Sequence, residues 1–178
     1  MRKDILIGAF IVLLLAVIFS GTKIQTVEEY YLTHIDDITE DSETVFISID
    51  VSTILDNWEA LDSGLQSPKY VPEDGIILAK TEYVLRPNDT VFDVLQRTVR
   101  HHQIHMEYQG ANENIYNSVY IQGINHLYEF SAGPLSGWMY AVNGEFPDSG
   151  VGKHKLEDGD VIEFRYTCDL GRDLGHDL

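Results

Sequence analysis

At 178 residues the chain is long enough for one domain and an anchoring segment, and too short for two well-filled cores. Hydrophobic residues make up 44% and charged residues 23%, which excludes wholesale disorder, and 10 tyrosines against 3 methionines favour strands over helices. The formal net charge of −17 repels phosphate backbones and anionic head groups, which argues against a nucleic-acid partner and against peripheral binding to lipid.

The N-terminus opens with Arg2 and Lys3 and passes into the unbroken apolar run Ile5 to Phe19, closed by Ser20 and Gly21. Positive charge before the run and acidic residues after it predict a cytoplasmic N-terminus and an extracytoplasmic remainder. Ile18 and Phe19 make a poor small-x-small cleavage site, so residues 1–21 are read as an uncleaved single-pass anchor in the cell membrane. A cleaved leader, which would leave a secreted protein, is the alternative. Cys168 is the only cysteine, so no intrachain disulfide can form, and an exported domain without disulfides fits a bacterial surface.

Residues 22–43 carry Asp36, Asp37, Glu40, Asp41 and Glu43 with little apolar periodicity and read as an acidic spacer. The folded part, residues 44–170, begins at a period-two strand in which Val45, Ile47, Ile49 and Val51 alternate with Phe46, Ser48, Asp50 and Ser52. A long polar connection from Asp56 to Asp74 follows, with Trp58, Leu61, Leu65 and Tyr70 available to pack it down. Ile76 to Leu85 is the second strand, stopped by Pro87.

One helix is predicted next. Thr90 and Asp93 form a capping box, and Val91, Val94, Leu95, Thr98 and Val99 recur at helical spacing. Strands follow at Ile104–Tyr108, Val119–Ile121, Leu127–Phe130, Trp138–Val142 and Val161–Tyr166. Between them lie turns at Gly123–Asn125, Gly133–Pro134, Asn143–Gly144 and Asp158–Gly159. Residues 171–178 read as a polar tail. Two early strands, one helix and a run of later strands define an α+β domain of β-grasp, ubiquitin-like layout, in which one helix covers a mixed sheet.

Two stretches carry a resemblance. Ser136-Gly137-Trp138-Met139-Tyr140-Ala141-Val142-Asn143-Gly144 and Lys155-Leu156-Glu157-Asp158-Gly159-Asp160-Val161-Ile162-Glu163-Phe164-Arg165-Tyr166-Thr167 resemble a bacterial family of unknown function. That family is grouped with the C-terminal β-domain of the cobalamin carriers transcobalamin and intrinsic factor. The Val71–Gly75 entry to the second strand and the helix start at Thr90–Leu95 are similar to it too, so the resemblance spans about residues 45–170. It implies a fold and a class of ligand, a cobalamin-type corrinoid. The carriers enclose their ligand with a second, helical barrel domain that this sequence does not contain.

The chemistry-bearing residues point away from catalysis. No Gly-x-Ser-x-Gly elbow, phosphate loop or dinucleotide fingerprint occurs, and Cys168 has no base near it in sequence. His101 and His105 would meet as metal ligands only if the helix ran on, and Ile104-His105-Met106 reads as strand, so no metal is assigned.

Trp138 and Tyr140 share one strand face; if the helix covers the other face they are exposed for binding, and if it covers theirs they are core. The expectation is therefore a non-enzymatic, membrane-anchored extracellular binding module. Trp138, Tyr140, Gly133, Pro134, Asn143 and Gly144 would form its ligand site, with cobalamin as the candidate ligand and no firm cofactor. The alternative is a protein-interaction or adhesion module that engages a surface or transporter partner through a sheet edge or the 56–74 loop.

Overall fold

The computed structural model describes residues 36–115 and 117–176, besides the lone position Phe10. The predicted anchor, apart from that position, and most of the acidic spacer lie outside the described residues. Among the described residues no helix is long and apolar enough to cross a membrane. All elements below belong to the unit formed by residues 32–178.

Period-two alternation in β1, Thr44–Asp50, sends Val45, Ile47 and Ile49 into full burial while Phe46 and Ser48 stay half-buried on the other face. A short helix, α1 at Thr53–Asp56, and two 3-10 turns carry the chain to β2, Ile76–Val84, which pairs antiparallel with β1. The last strand, β7 at Val161–Thr167, lies on the other side of β1 and runs parallel to it. β6, Gly137–Val142, pairs antiparallel with β7, giving the sheet order β2-β1-β7-β6. A parallel pair at the centre requires a long crossover, and here it holds the main helix and a second sheet.

That helix, α2 at Val91–His101, starts where the sequence predicts. The Thr90 side chain accepts from the Asp93 backbone N–H, and the Asp93 carboxylate accepts from the Thr90 backbone at 2.8 Å. Its buried stripe of Val91, Val94, Leu95 and Val99 packs on Val45, Ile47, Ile49, Ile162 and Phe164. Each such side chain contributes about 1.5–3 kcal/mol by leaving water. Arg97, on the same helix, is buried and held bidentate by Asp89 at 2.6 and 2.9 Å, and it also donates to the Val84 carbonyl at 3.2 Å. This ties α2 to the end of β2.

The second sheet has the order β3-β4-β5, from β3 at Met106–Gln109, β4 at Tyr120–Ile124 and β5 at Leu127–Tyr128. Its β4–β5 turn is only Asn125 and His126, both at positive φ (51° and 65°), as a two-residue hairpin with right-handed strand twist demands. The strand expected to reach Phe130 stops at Tyr128, because Phe130 turns to φ 68°.

The 56–74 connection is packed down as its apolar residues suggest. Leu61 and Val71 join Val51, Ile54, Leu127 and Tyr166 in a second core cluster, with Trp58, Leu65 and Tyr70 against it. Residues 171–176 are more ordered than a solvated tail. Leu174 is buried, and Asp173 accepts from the Cys168 backbone at 2.7 Å, so the chain folds back against the end of β7.

Candidate functional site

Strand register answers the question of faces. Trp138, Tyr140 and Val142 sit opposite Tyr166, Phe164 and Ile162 of β7, whose side chains are buried beneath α2 and its neighbours. Trp138 and Tyr140 therefore point to the covered side of the sheet, at its margin, and remain half-buried. The Trp138 Nε1 donates to the Leu127 carbonyl at 2.7 Å, and its ring meets Tyr166 edge-on with centroids 5.3 Å apart. The Tyr140 hydroxyl donates to the Ser149 carbonyl, and its ring lies over Phe164 at 6.1 Å. Burial pushes the Tyr140 phenol above its ordinary value, with the bond to Ser149 opposing it. Both rings are anchored at their polar ends, so they form fixed walls.

Between β6 and the first half of β4 these walls enclose a cleft of about 140 Å³, lined by Val119, Ile121, Trp138, Tyr140, Val151 and Phe164. It adjoins a broader groove of about 680 Å³, bordered by Ser118, Tyr120, Asp148, Ser149 and Lys153. Val119, Tyr120 and Gly150 line both.

The groove owes its shape to Gly150. A Cβ there would stand 2.0 Å from the Ser118 Oγ, so only glycine lets the 148–153 loop settle against residue 118. The Ser118 Oγ is buried with no hydrogen-bond partner.

The strand edge contributes backbone groups. Asn143 N–H donates to the Val161 carbonyl at 2.8 Å, which fixes the alternation of the β6–β7 ladder. The odd-numbered residues of β6 bond to β7, so the N–H and C=O groups of Trp138 and Tyr140 turn to the open side of the strand. A mostly apolar slot with a few convergent polar groups is the usual form of a small-molecule site.

The six residues singled out from sequence fall in three places. Trp138 and Tyr140 line the cleft. Gly133 (φ 102°) and the exposed Pro134 belong to the turn 130–136. Asn143 (φ 54°) and Gly144 (φ 83°) form the hairpin turn after β6, where the Asn143 side chain donates to Asp160 at 2.7 Å and accepts from the Val161 N–H at 2.9 Å. Neither turn lines the cleft. The cleft residues without a sequence signal are Val119, Ile121 and Val151, which read locally as ordinary strand and loop positions; only the Gly150–Gly152 spacing hints at a close approach.

His101 and His105 do not meet on a helix, because α2 ends at His101. His105 stacks instead on His126, and among the described residues no cluster of His, Cys, Asp and Glu is arranged to hold a metal ion. Cys168 follows β7 half-buried, and burial pushes its thiol up, away from the thiolate that nucleophilic chemistry needs; the Thr53 hydroxyl at 3.9 Å opposes that shift.

Residues 88–168 match a family model described as Domain of unknown function (DUF4430). This stretch runs from the turn before α2 to the residue after β7 and holds every residue of the cleft. The match agrees with the resemblance, read from the sequence, to a bacterial family of unknown function.

Among solved structures, the chain is similar to a candidate metal binding protein from Ruminococcus gnavus ATCC 29149, at 10% identity and TM-score 0.43, over 70% of this chain and 96% of that one. It is similar also to haptocorrin in complex with Cbi, at 13% identity and TM-score 0.48, over 76% of this chain and 27% of that one. No curated protein matches the chain.

Proposed function

We propose that the chain is a non-catalytic binding module, held outside the cell by its N-terminal segment, that takes a flat and largely apolar ligand into the cleft beside Trp138 and Tyr140. The observation that carries this reading is that the apolar cleft shares its wall with a broader groove bordered by the polar side chains of Ser118, Tyr120 and Lys153. Such a site suits a ligand with a planar apolar part and polar substituents.

The parallel central pair β1–β7, flanked by β2 and β6, supports the β-grasp assignment of the scaffold. The motifs shared with the cobalamin-carrier β-domains make a corrinoid the first candidate. A cleft of about 140 Å³ admits one edge or one ring of such a molecule, with the remainder lying along the groove. The single-pass anchor at residues 1–21 and the extracellular placement rest on the charge asymmetry about the apolar run.

Calorimetric titration of the full chain in detergent with cobalamin and cobinamide tests the ligand. The expected result is a Kd in the micromolar range or tighter, about −8 kcal/mol or better, weakened by Trp138→Ala. Absence of heat with both compounds removes the corrinoid assignment, and heat unchanged by Trp138→Ala moves the site elsewhere. Placement is tested by a membrane-impermeant maleimide on intact cells carrying Ser63→Cys in a Cys168→Ser background. Labelling without lysis is expected, and labelling only after lysis puts the domain inside.

A further inference from the structure

Two bulky side chains stand in solvent on backbone that disfavours them. Phe130 has φ 68° and is 63% exposed; Leu170 has φ 50° and is 44% exposed. The left-handed region brings the Cβ of an L-residue against its own carbonyl, and for large side chains it is an outlier. Both side chains leave much of their surface to solvent.

Both positions are bonded to the same short segment, 135–136. The Leu170 N–H donates to the Leu135 carbonyl at 3.0 Å, and the Phe130 N–H donates to the Ser136 carbonyl at 2.9 Å. Leu135 is itself 38% exposed, and Pro134 beside it is exposed. Four apolar side chains thus project from two adjoining turns.

The turns rest on a rigid base. The buried Ser136 Oγ accepts from the Ala132 N–H at 3.0 Å and donates to the Gly133 carbonyl at 2.8 Å. Beneath it the Tyr166 hydroxyl donates to the Tyr128 carbonyl at 2.6 Å and lies 3.0 Å from the Ser136 Oγ. A preordered apolar projection loses little entropy when it is buried against something else.

The surroundings are acidic. Glu129 and Asp169 adjoin Phe130 and Leu170 in the chain, Asp173 follows in the same turn as Leu170, and Arg172 is bound to both oxygens of Asp169 at 2.6 and 3.2 Å. We propose that Phe130, Pro134, Leu135 and Leu170 form a docking knob for a cationic protein, which receives the apolar side chains in a pocket bordered by lysine or arginine. With a chain charge of −17, a second copy or an anionic bilayer is repelled at long range, whereas a basic protein is steered in.

The test places a photoreactive benzoylphenylalanine at position 130 or 170 of the full chain in the cells that make it, with position 115 as control, since Ile115 is 92% exposed and apolar. The expected result is one protein crosslinked from 130 and 170 and not from 115, through a peptide that carries lysine or arginine beside apolar residues. Once purified, that protein should bind the full chain with affinity lowered at least about tenfold by Phe130→Ser. Its binding should also weaken as salt rises from about 50 to about 300 mM.

Adducts to lipid, to a second copy or to an acidic protein overturn the proposal, as do equal labelling from position 115 and no adduct at all. A second measurement separates display from architecture. Phe130→Gly and Leu170→Gly should each raise Tm by about 2–4 °C by relieving the backbone while weakening partner binding. A fall in Tm for both would mean that the side chains serve the fold, and would overturn the reading.

Discussion

His105 and His126 lie ring on ring, centroids 4.0 Å apart and planes within 14° of each other. The stack joins the strand after α2 to the β4–β5 turn. Glu107 lies 3.3 Å from the His105 Nε2, Tyr70 meets the His126 ring edge-on at 5.5 Å, and Asn125 donates to the Tyr70 carbonyl at 2.9 Å. The His105 Nδ1 is buried without a partner, while its Nε2 faces Glu107.

A pH dependence follows from that pair. Burial, the His105 ring and then Lys69 hold the His126 pKa below 6.5, with Glu107 opposing them. The unfolded chain therefore binds more protons than the folded one just below pH 6.5. Stability is complete above that value and falls as pH drops through it. Thermal melts should show a plateau above pH 7 and a declining Tm toward pH 5. His126→Asn, which tolerates positive φ, should flatten the decline in part. His102, also depressed by burial and by His101, supplies the remainder. A slope unchanged by His126→Asn would refute the assignment.

The buried pair Arg97–Asp89 should be costly to break on one side. Asp89→Ala leaves the guanidinium without its carboxylate and should lower the urea-unfolding free energy by about 3–5 kcal/mol. Asp89→Leu combined with Arg97→Met, which removes both charges, should cost much less than the two single changes summed. Additive losses would show that the pair is not coupled.

Trp138 is both wall and support. Trp138→Ala should destabilise by about 3–5 kcal/mol through the lost contacts with Tyr166 and the second core cluster. Trp138→Phe keeps most of the packing but strands the Leu127 carbonyl, and should cost about 1–3 kcal/mol. Chemical denaturation of both variants checks the ranking, and equal losses would contradict it.

Gly150 should be coupled to Ser118. Gly150→Ala drives a methyl group to within 2.0 Å of the Ser118 Oγ and should destabilise by about 1–3 kcal/mol. Ser118→Gly should recover much of that loss in the double variant. A double-mutant cycle with no interaction energy would show that the loop closes otherwise.

The elements were largely legible because their signals are local. Alternation around Val45–Val51 and Val161–Tyr166 marks strands, Thr90 with Asp93 marks the start of α2, and Asn143–Gly144 marks a two-residue turn, closed by the single bridge of Val142 to Glu145. Leu127 to Phe130 looks like a four-residue strand, but the Phe130 N–H is drawn to the Ser136 carbonyl and the backbone turns over at φ 68°, a choice made by a partner six positions away.

The sequence by itself determined that Trp138 and Tyr140 share a face, because side-chain direction alternates strictly along a strand. Which face α2 covers was decided only when β6 paired with β7 and set Tyr140 opposite Phe164. The cleft, the stack of His105 on His126 and the meeting of the turns at Leu135 and Leu170 belong to the same class. Each depends on register between segments far apart in the chain, and local pattern carries period without carrying register.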